Sequence, residues 1–381
     1  MVIARENHLG VEGLAQRGNL TLNRAMALIS WGILGAGAIA RAFATDLPRS
    51  RTGRLAAVGS RERIKAEAFA AEFAGVPDHP PIRAHGSYEE LLADPGVEAL
   101  YIATPHPSHA EWCLRAARAG KHILCEKPLT MNHAEAVAVA AAAGEAGVFL
   151  MEAFMYRCHP LTARLVQLIR EGALGEVGAI QATFSFRSPF RRESRLFDKA
   201  LGGGGILDVG CYAASIARLV AGAAVGRSFA DFKSLAGSGM LHPETGADLY
   251  ALASGRFAGG IVAQLATGVG LTQDNGLRVF GTEASLHIPS PFVIAREGGE
   301  GRIFVQRPDL PIEEIVVAGE KPLYAYEADA VGDALAKGER ESPCMPVADS
   351  LGNMAALDAW RAAIGLVYAG EPVTVPAAKF P

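Results

Sequence analysis

Three short strings in this chain have residue types and spacing suited to chemistry. The first is Glu126-Lys127-Pro128, directly after the apolar run 122–125. It places a charged pair where a central parallel strand would end, at the crevice where doubly wound sheets bind ligands. A lysine there can hydrogen-bond a substrate oxygen and stabilise negative charge that develops during reaction. Taken alone, it is an ordinary strand-end lysine turned to solvent. The second is Asp208 with Tyr212, four apart after the glycine run 202–205 and so on one face of a predicted helix over 206–220. A free phenol has a pKa of about 10, and a nearby Lys127 ammonium would lower it by favouring the phenolate. Lys127 and Tyr212 would then form an acid–base pair, with Asp208 orienting substrate hydroxyls or the lysine. The bland reading of Tyr212 is a half-buried aromatic with its hydroxyl satisfied.

The third string is Gly35-Ala36-Gly37-Ala38-Ile39-Ala40, after the apolar run 28–34 and before a predicted helix over 38–47. Gly35 permits a tight turn and Gly37 close approach of backbone to a pyrophosphate. Ala38 and Ile39 open the helix whose N-terminus would face that anion. About 25 residues further on, the second strand ends in Val58-Gly59-Ser60-Arg61. An NAD site usually carries a carboxylate there for the ribose 2′-hydroxyl. Here an arginine beside a hydroxyl suits a 2′-phosphate, so the expected cofactor is NADP, with NAD disfavoured. The alternative is that Arg61 merely opens a solvated helix with Glu62, Arg63 and Lys65.

These strings need a frame, and the pattern of the first half supplies one. Strands at 28–34, 54–58, near 82, at 97–102, 122–125 and 148–151 are separated by predicted helices at 38–47, 62–73, 88–93, 110–119 and 133–146. Strands alternating with helices call for a parallel, doubly wound sheet. Beyond 152 the pattern changes to polar–apolar alternation at 180–186, 248–257, 261–266, 277–280 and 285–288, which suits half-buried antiparallel strands. Helices at 324–337 and 350–368 close the chain. The expected architecture is α/β: a Rossmann domain over 28–151 and an α+β domain with a large open sheet over 152–381. Residues 1–27 read as a loose extension; an arm over a ligand or a neighbouring subunit is the sharper alternative.

Further motifs resemble those of the Gfo/Idh/MocA oxidoreductase family. They are Ala103-Thr104-Pro105 with His109, Ala119-Gly120-Lys121-His122, Cys125-Glu126-Lys127-Pro128 and Glu152 through Pro160. The likeness continues at Arg195-Leu196-Phe197-Asp198, through Gly202–Tyr212 and at Gly281-Thr282-Glu283-Ala284, so it spans about 29–369. Within the family the chain looks most similar to NADP-dependent dihydrodiol dehydrogenases and aldose dehydrogenases; many other relatives carry histidine where this chain has Tyr212. The resemblance implies that Lys127 is the catalytic lysine and that Thr104, Pro105, His109 and Glu126 line the dinucleotide. Arg157 and His159, just past the last strand, are expected to face cofactor or sugar. It also implies an NADP-dependent hydride transfer to or from an aldose or related polyol, and a homodimer or homotetramer built through the C-terminal sheet. Rival readings are an aldose–aldose oxidoreductase with tightly held NADP, a trans-dihydrodiol dehydrogenase, and a non-catalytic NADP-binding sensor.

Composition narrows the field further. The 381 residues are 50% hydrophobic and 20% charged, enough for two or three folded domains and too apolar for a disordered chain. A net charge of −4 lacks the basic excess of a nucleic-acid or anionic-membrane binder. The longest apolar stretch, 136–151, is interrupted by Glu145 and is shorter than the ~20 residues of a membrane span. Five scattered cysteines without a Cys-x-x-Cys pair fit a cytoplasmic protein with free thiols and argue against both a disulfide framework and a cysteine zinc site. His106 and His109 read as helix-start residues, since a two-histidine metal site would lack a third ligand. The arginines at 187, 191, 192 and 195 read first as a solvated loop, and second as a rim favouring anionic sugars.

Overall fold

The computed structural model describes residues 28–75, 80–294, 296 and 298–368; the extension expected at 1–27 lies outside them. Strands β1 (Ile29–Leu34), β2 (Gly53–Gly59), β3 (Arg83–His85), β4 (Ala99–Ile102), β5 (His122–Glu126) and β6 (Leu150–Ala153) form one sheet. Their order is β3-β2-β1-β4-β5-β6, and every pairing is parallel. Helices α1 (Ala38–Asp46), α2 (Arg63–Glu72), α3 (Tyr88–Ala93), α4 (His109–Arg118) and α5 (His133–Ala146) connect the strands. Covering both faces of the sheet explains why β4 is buried at all four positions and β1 at five of six. The strand order reverses between β1 and β4, so the crevice for a ligand opens at their carboxyl ends. This is the doubly wound arrangement that the sequence alternation predicts. Its last strand runs to Ala153, so the expected boundary after 151 falls inside β6.

The second unit begins with α6 (Pro160–Arg170) and continues with β7 (Val177–Ser185), α7 (Cys211–Ala224), β8 (Ser234–Leu241), β9 (Asp248–Arg256), β10 (Val262–Gly268), β11 (Gly276–Gly281), β12 (Ser285–Pro289), β13 (Gly299–Gln306) and β14 (Glu313–Gly319). These strands form an eight-stranded sheet, β14-β13-β12-β11-β7-β10-β9-β8, antiparallel except where β10 pairs with β7. The alternation correctly placed β7 and β9–β12. It missed β8, whose Gly237 and Gly239 dilute the pattern, and the charged strands β13 and β14 at the other end of the sheet.

A π-turn over Ile206–Gly210 leads into α7, where a single regular helix was expected. The glycines ahead of it have a physical reason: Gly204 has φ +121°, and a Cβ there would collide with the Asp248 carboxylate. Asp248 in turn accepts from the Ile206 N–H at 2.8 Å, fixing the start of the turn. The stretch Lys199–Ala224 is long and apolar enough to span a membrane by composition, yet its most apolar 18-residue window is wholly buried inside the protein.

The chain then returns to the first sheet. In α8 (Leu323–Ala336), Asp329 accepts from the Arg51 N–H at 2.8 Å and from Ser50 Oγ at 2.7 Å. In α9 (Val347–Ala363), Asp358 accepts from the His133 N–H at 2.9 Å. The dinucleotide-type domain is therefore buttressed by the last two helices of the chain, which the sequence reading assigned to the other domain.

Candidate active site

A cleft of about 610 Å³ opens at the carboxyl ends of β1, β2, β4 and β5. Its lining includes Gly35, Gly37, Ala38, Ile39, Ser60, Arg61, Thr104, Pro105, His109, Glu126 and Lys127, brought together from four separate stretches of sequence. Gly35 has φ +108°, and a Cβ there would stand 2.9 Å from the Ala103 carbonyl oxygen, so the β1 turn requires glycine. Gly37 N-caps α1 without a side-chain cap, and nothing lies within 4 Å of where its Cβ would be. The first N–H groups of α1 therefore face open space, as an anion cradle needs. Two buried polar atoms beside it, Thr104 Oγ1 and His106 Nδ1, have no protein partner.

At the far end, the Arg61 guanidinium lies near the Tyr88 hydroxyl, and Lys65 pairs with Glu62 at 2.5 Å. Burial raises the Tyr88 pKa, and the Arg61 guanidinium opposes that rise. Arg61 and Lys65 give this end the cationic chemistry that a 2′-phosphate requires, with no carboxylate terminating β2. The site thus fits NADP on its own geometry. Arg61→Ala is expected to weaken NADP binding about tenfold or more and to leave NAD binding nearly unchanged. Titration with each dinucleotide measures this; equal losses for both would show that Arg61 does not read the 2′-phosphate.

His109 and Glu126 form the floor rather than the lip. Both ring nitrogens of His109 contact carbonyl oxygens, Pro128 O at 2.8 Å and Thr104 O at 2.9 Å. Burial pushes its pKa down, so the imidazole is neutral and donates only one of these hydrogen bonds. It ties the β4 loop to the cis Lys127–Pro128 segment. Glu126 accepts a short hydrogen bond from the Tyr101 hydroxyl and another from the Lys127 N–H at 3.2 Å. Burial raises its pKa, with Lys127 opposing.

Lys127 is the cation at the centre of the cleft. Its Nζ donates to the Asp208 carbonyl at 2.7 Å and lies 3.8 Å from Asp208 Oδ1. Arg195 donates to the same Oδ1 at 3.0 Å. Burial would raise the Asp208 pKa, but Lys127, Arg195 and His106 outweigh it and hold the carboxyl below its ordinary value. Asp208 thereby stays ionised and fixes the lysine head at the end of β5. Of its two expected tasks, it is orienting the lysine that the geometry supports; it does not line the cleft.

Tyr212 departs from expectation. Lys127 Nζ stands over its ring, 5.2 Å from the centroid, so Asp208 and Tyr212 do present to the same lysine. The ring, however, is enclosed by Phe154, Tyr156, Phe184 and Phe292, and its hydroxyl donates to Met155 Sδ at 3.5 Å. Burial pushes its pKa well above 10, and nearby Glu126 pushes it further. The expected lowering by Lys127 is corrected: desolvation of the aromatic cage dominates.

Arg157 and His159 are corrected more fully, because neither lines the cleft. Arg157 donates to Asp349 Oδ2 at 2.6 Å and Ser215 Oγ at 3.2 Å, both buried, and to the part-buried Cys344 carbonyl at 3.1 Å. His159 N-caps α6, its Nδ1 accepting from the Leu161 N–H at 3.1 Å, and burial lowers its pKa to about 4. Both side chains were misplaced because a position just beyond β6 says nothing about which way the chain then turns.

The cleft also contains Ala36, Glu62, Lys65, Tyr88, Ala103, His106, Arg195 and Arg296, none of which the sequence reading placed on the dinucleotide. Tyr88 arrives there because β3 pairs with β2, and Arg296 arrives from a loop past β12; neither carries a local motif. Arg195 was read with its neighbours as a solvated loop, whereas it reaches Asp208. Among the described residues no cluster of three or more His, Cys, Asp or Glu side chains could hold a metal.

Comparison with known proteins agrees with this geometry. The family profile described as an oxidoreductase family with an NAD-binding Rossmann fold matches residues 29–154, and the GFO/IDH/MocA C-terminal domain matches 162–287. The chain is 34% identical over 348 residues to trans-1,2-dihydrobenzene-1,2-diol dehydrogenase of Mus musculus, covering 89% of this chain and 98% of that protein. It is 44% identical over 192 residues to D-xylose 1-dehydrogenase (NADP(+)) 2 of Haloferax volcanii, covering 50% and 57% respectively. A crystal structure of a 3-ketoreductase from Actinomadura kijaniata with NADP and TDP-benzene superposes with a TM-score of 0.76 at 28% identity, over 88% of this chain and 98% of that one. A phosphate cradle after β1, a lysine ending β5 and two matched domains of one family, with relatives aligned along most of the chain, have one reading: the protein belongs to the Gfo/Idh/MocA oxidoreductases.

Proposed function

We propose that the protein is an NADP-dependent oxidoreductase acting on a CH–OH group of an aldose or related polyol. The observation that carries this is Lys127 Nζ, held at the end of β5 by Asp208 and facing the same cleft as the phosphate cradle of β1. NADP, when bound, supplies hydride chemistry at nicotinamide C4. This chain's residues do the rest. Lys127 donates to the substrate oxygen and stabilises the negative charge that grows on it. Asp208, ionised, prevents the lysine head from swinging away. Tyr212 is neutral at pH 7 and holds a proton on its phenol oxygen. The thioether of Met155 is a weak acceptor, but Tyr212 does not line the cleft, so passing that proton to a substrate alkoxide requires the ring to turn out of its aromatic cage. A neutral phenol is a ready donor in the reducing direction and must hand its proton on before it serves as base in the oxidising one.

The test is absorbance at 340 nm with a panel of aldoses, polyols and trans-dihydrodiols, each with NADP and with NAD. Turnover with an aldose and NADP supports the proposal; no change with any panel member favours a non-catalytic sensor. With the best substrate, Tyr212→Phe is expected to lower kcat about 10²-fold. Near wild-type turnover in that variant would remove Tyr212 from the proton path.

The proposal extends to assembly and location. The outward face of the eight-stranded sheet exposes Leu252 on β9, Val262 on β10 and Phe280 on β11, at 47%, 42% and 37% of their surface. A second copy of the same sheet is the occupant proposed for this face, as a homodimer or homotetramer. Light scattering that gives the mass of one 39.9 kDa chain at micromolar concentration would overturn it. Five free thiols are in keeping with a cytoplasmic protein.

A further inference from the structure

We infer that Arg195 reads the oxygen on the carbon next to the reacting one, so that the site selects substrates with vicinal oxygens. The inference rests on the reading that a CH–OH group reacts at Lys127, and it names the group that stands beside that lysine. Of the arginines at 187, 191, 192 and 195, Arg195 alone lines the cleft. Arg192 pairs with Glu244, and Arg191 lines a separate hollow with Ser188, Glu193 and Ser194.

Two sets of contacts hold Arg195 in place. On the backbone side, the glycine run packs against its loop. The Gly203 N–H donates to the Asp198 carbonyl at 2.9 Å, and the Gly204 N–H donates to the Leu196 carbonyl at 2.9 Å. A Cβ at Gly203 would stand 2.6 Å from the Arg195 carbonyl oxygen, so this close approach requires glycine. On the side-chain side, Arg195 Nη2 donates to Asp208 Oδ1 at 3.0 Å, and Lys127 Nζ stands 3.8 Å from the same atom. Two cationic heads thus gather round one carboxylate oxygen at the end of β5, apart from the Arg61 end that suits the 2′-phosphate.

The guanidinium has donors to spare. It carries five N–H bonds in a fixed fork, and the bond to Asp208 is its only hydrogen bond among the described residues. Its side chain is 50% exposed, whereas that of Asp208 is 6% exposed, so the unused edge is open to a ligand. An oriented donor edge beside the ammonium is complementary to a second oxygen one C–C bond away from the first. Asp208 is ionised, and its Oδ1 lies nearer the guanidinium than the ammonium. That negative charge favours a neutral hydroxyl over a substrate carboxylate at this edge. A substrate without the neighbouring oxygen leaves the edge to water and forgoes one charge-assisted hydrogen bond.

The test compares matched pairs with NADP at 340 nm: D-glucose with 2-deoxy-D-glucose, D-ribose with 2-deoxy-D-ribose, and trans-cyclohexane-1,2-diol with cyclohexanol. In the wild type, kcat/KM is expected to favour the vicinal member about tenfold or more. In Arg195→Gln that preference should fall to within about threefold. Arg191→Gln, which removes the same charge from the same loop outside the cleft, should keep it. The ratio within a pair cancels any rate that Arg195→Gln loses through Asp208, and the intrinsic reactivity of each pair is common to all three proteins. A wild type without the preference, a preference that survives in Arg195→Gln, or one lost equally in Arg191→Gln would each overturn the assignment. Failure of the aldose reading looks different: the diol turns over with its preference intact, and no aldose does. If no pair member turns over, calorimetric titration of D-ribose and 2-deoxy-D-ribose into the NADP-loaded protein reads the edge without chemistry. Tighter binding of D-ribose that is lost in Arg195→Gln supports the assignment, and equal binding or none overturns it.

Discussion

Lys127→Met is expected to lower kcat about 10³-fold while the affinity for NADP changes by less than about threefold. Methionine retains most of the stem volume and removes only the ammonium, so the contrast isolates charge. The wild-type side chain is 13% exposed, its head is held 2.7 Å from the Asp208 carbonyl, and it faces the cleft. The phosphate cradle lies elsewhere, at Gly35–Ile39 and Arg61, so dinucleotide binding does not depend on this ammonium. Asp208 is not orphaned by the change, because Arg195 still donates to its Oδ1 at 3.0 Å. Fold and cofactor binding should therefore survive where chemistry does not. Steady-state rates with the best panel substrate, paired with a dinucleotide titration, separate the two. A kcat within tenfold of wild type would remove Lys127 from the reaction, and a parallel loss of NADP affinity would make it a binding residue.

What the sequence made legible divides along a physical line. Features that depend on a few consecutive residues were readable: the Gly35–Gly37 turn, Arg61 at the end of β2, and a charged pair ending β5. Each follows from strand geometry and from what a backbone or a guanidinium can do within one turn. The doubly wound sheet was readable for the same reason, since buried parallel strands leave unbroken apolar runs. Features that depend on distant chain segments meeting were not. Nothing near Tyr212 in sequence announces that Phe154, Phe184 and Phe292 will enclose it, yet that cage reverses the expected direction of its pKa. Arg157 sits amid motif residues and was drawn toward the cofactor, but Asp349, on the last helix, claims it. The last two strands, β13 and its edge neighbour β14, escaped because charged residues on a half-exposed strand erase the alternation that marks the inner ones.

The same distant helix supports the second large prediction. Asp349→Ala is expected to destabilise the fold by about 3–5 kcal/mol. Asp349 is completely buried and serves two arginines at once. Its Oδ2 accepts from Arg157 at 2.6 Å, and its Oδ1 accepts a very short hydrogen bond from Arg218, which also donates to the Asp349 carbonyl at 2.7 Å. Arg218 is itself fully buried, and its other partner, Asp231 at 2.6 Å, is 31% exposed. Without the carboxylate, Arg157 keeps only the neutral Ser215 hydroxyl and the Cys344 carbonyl, and a full positive charge remains where water cannot reach it. Replacing such a network with apolar residues is often tolerable, whereas deleting one partner is not, because the cost is an unpaired buried charge. Ser215 and Arg218 both belong to α7, the helix of Tyr212, so the loss should also loosen the wall behind Lys127. Urea unfolding of wild type and variant gives the difference directly. A destabilisation below about 1 kcal/mol would mean that the two guanidiniums find other partners or water, and that the network is incidental to holding α7 in place.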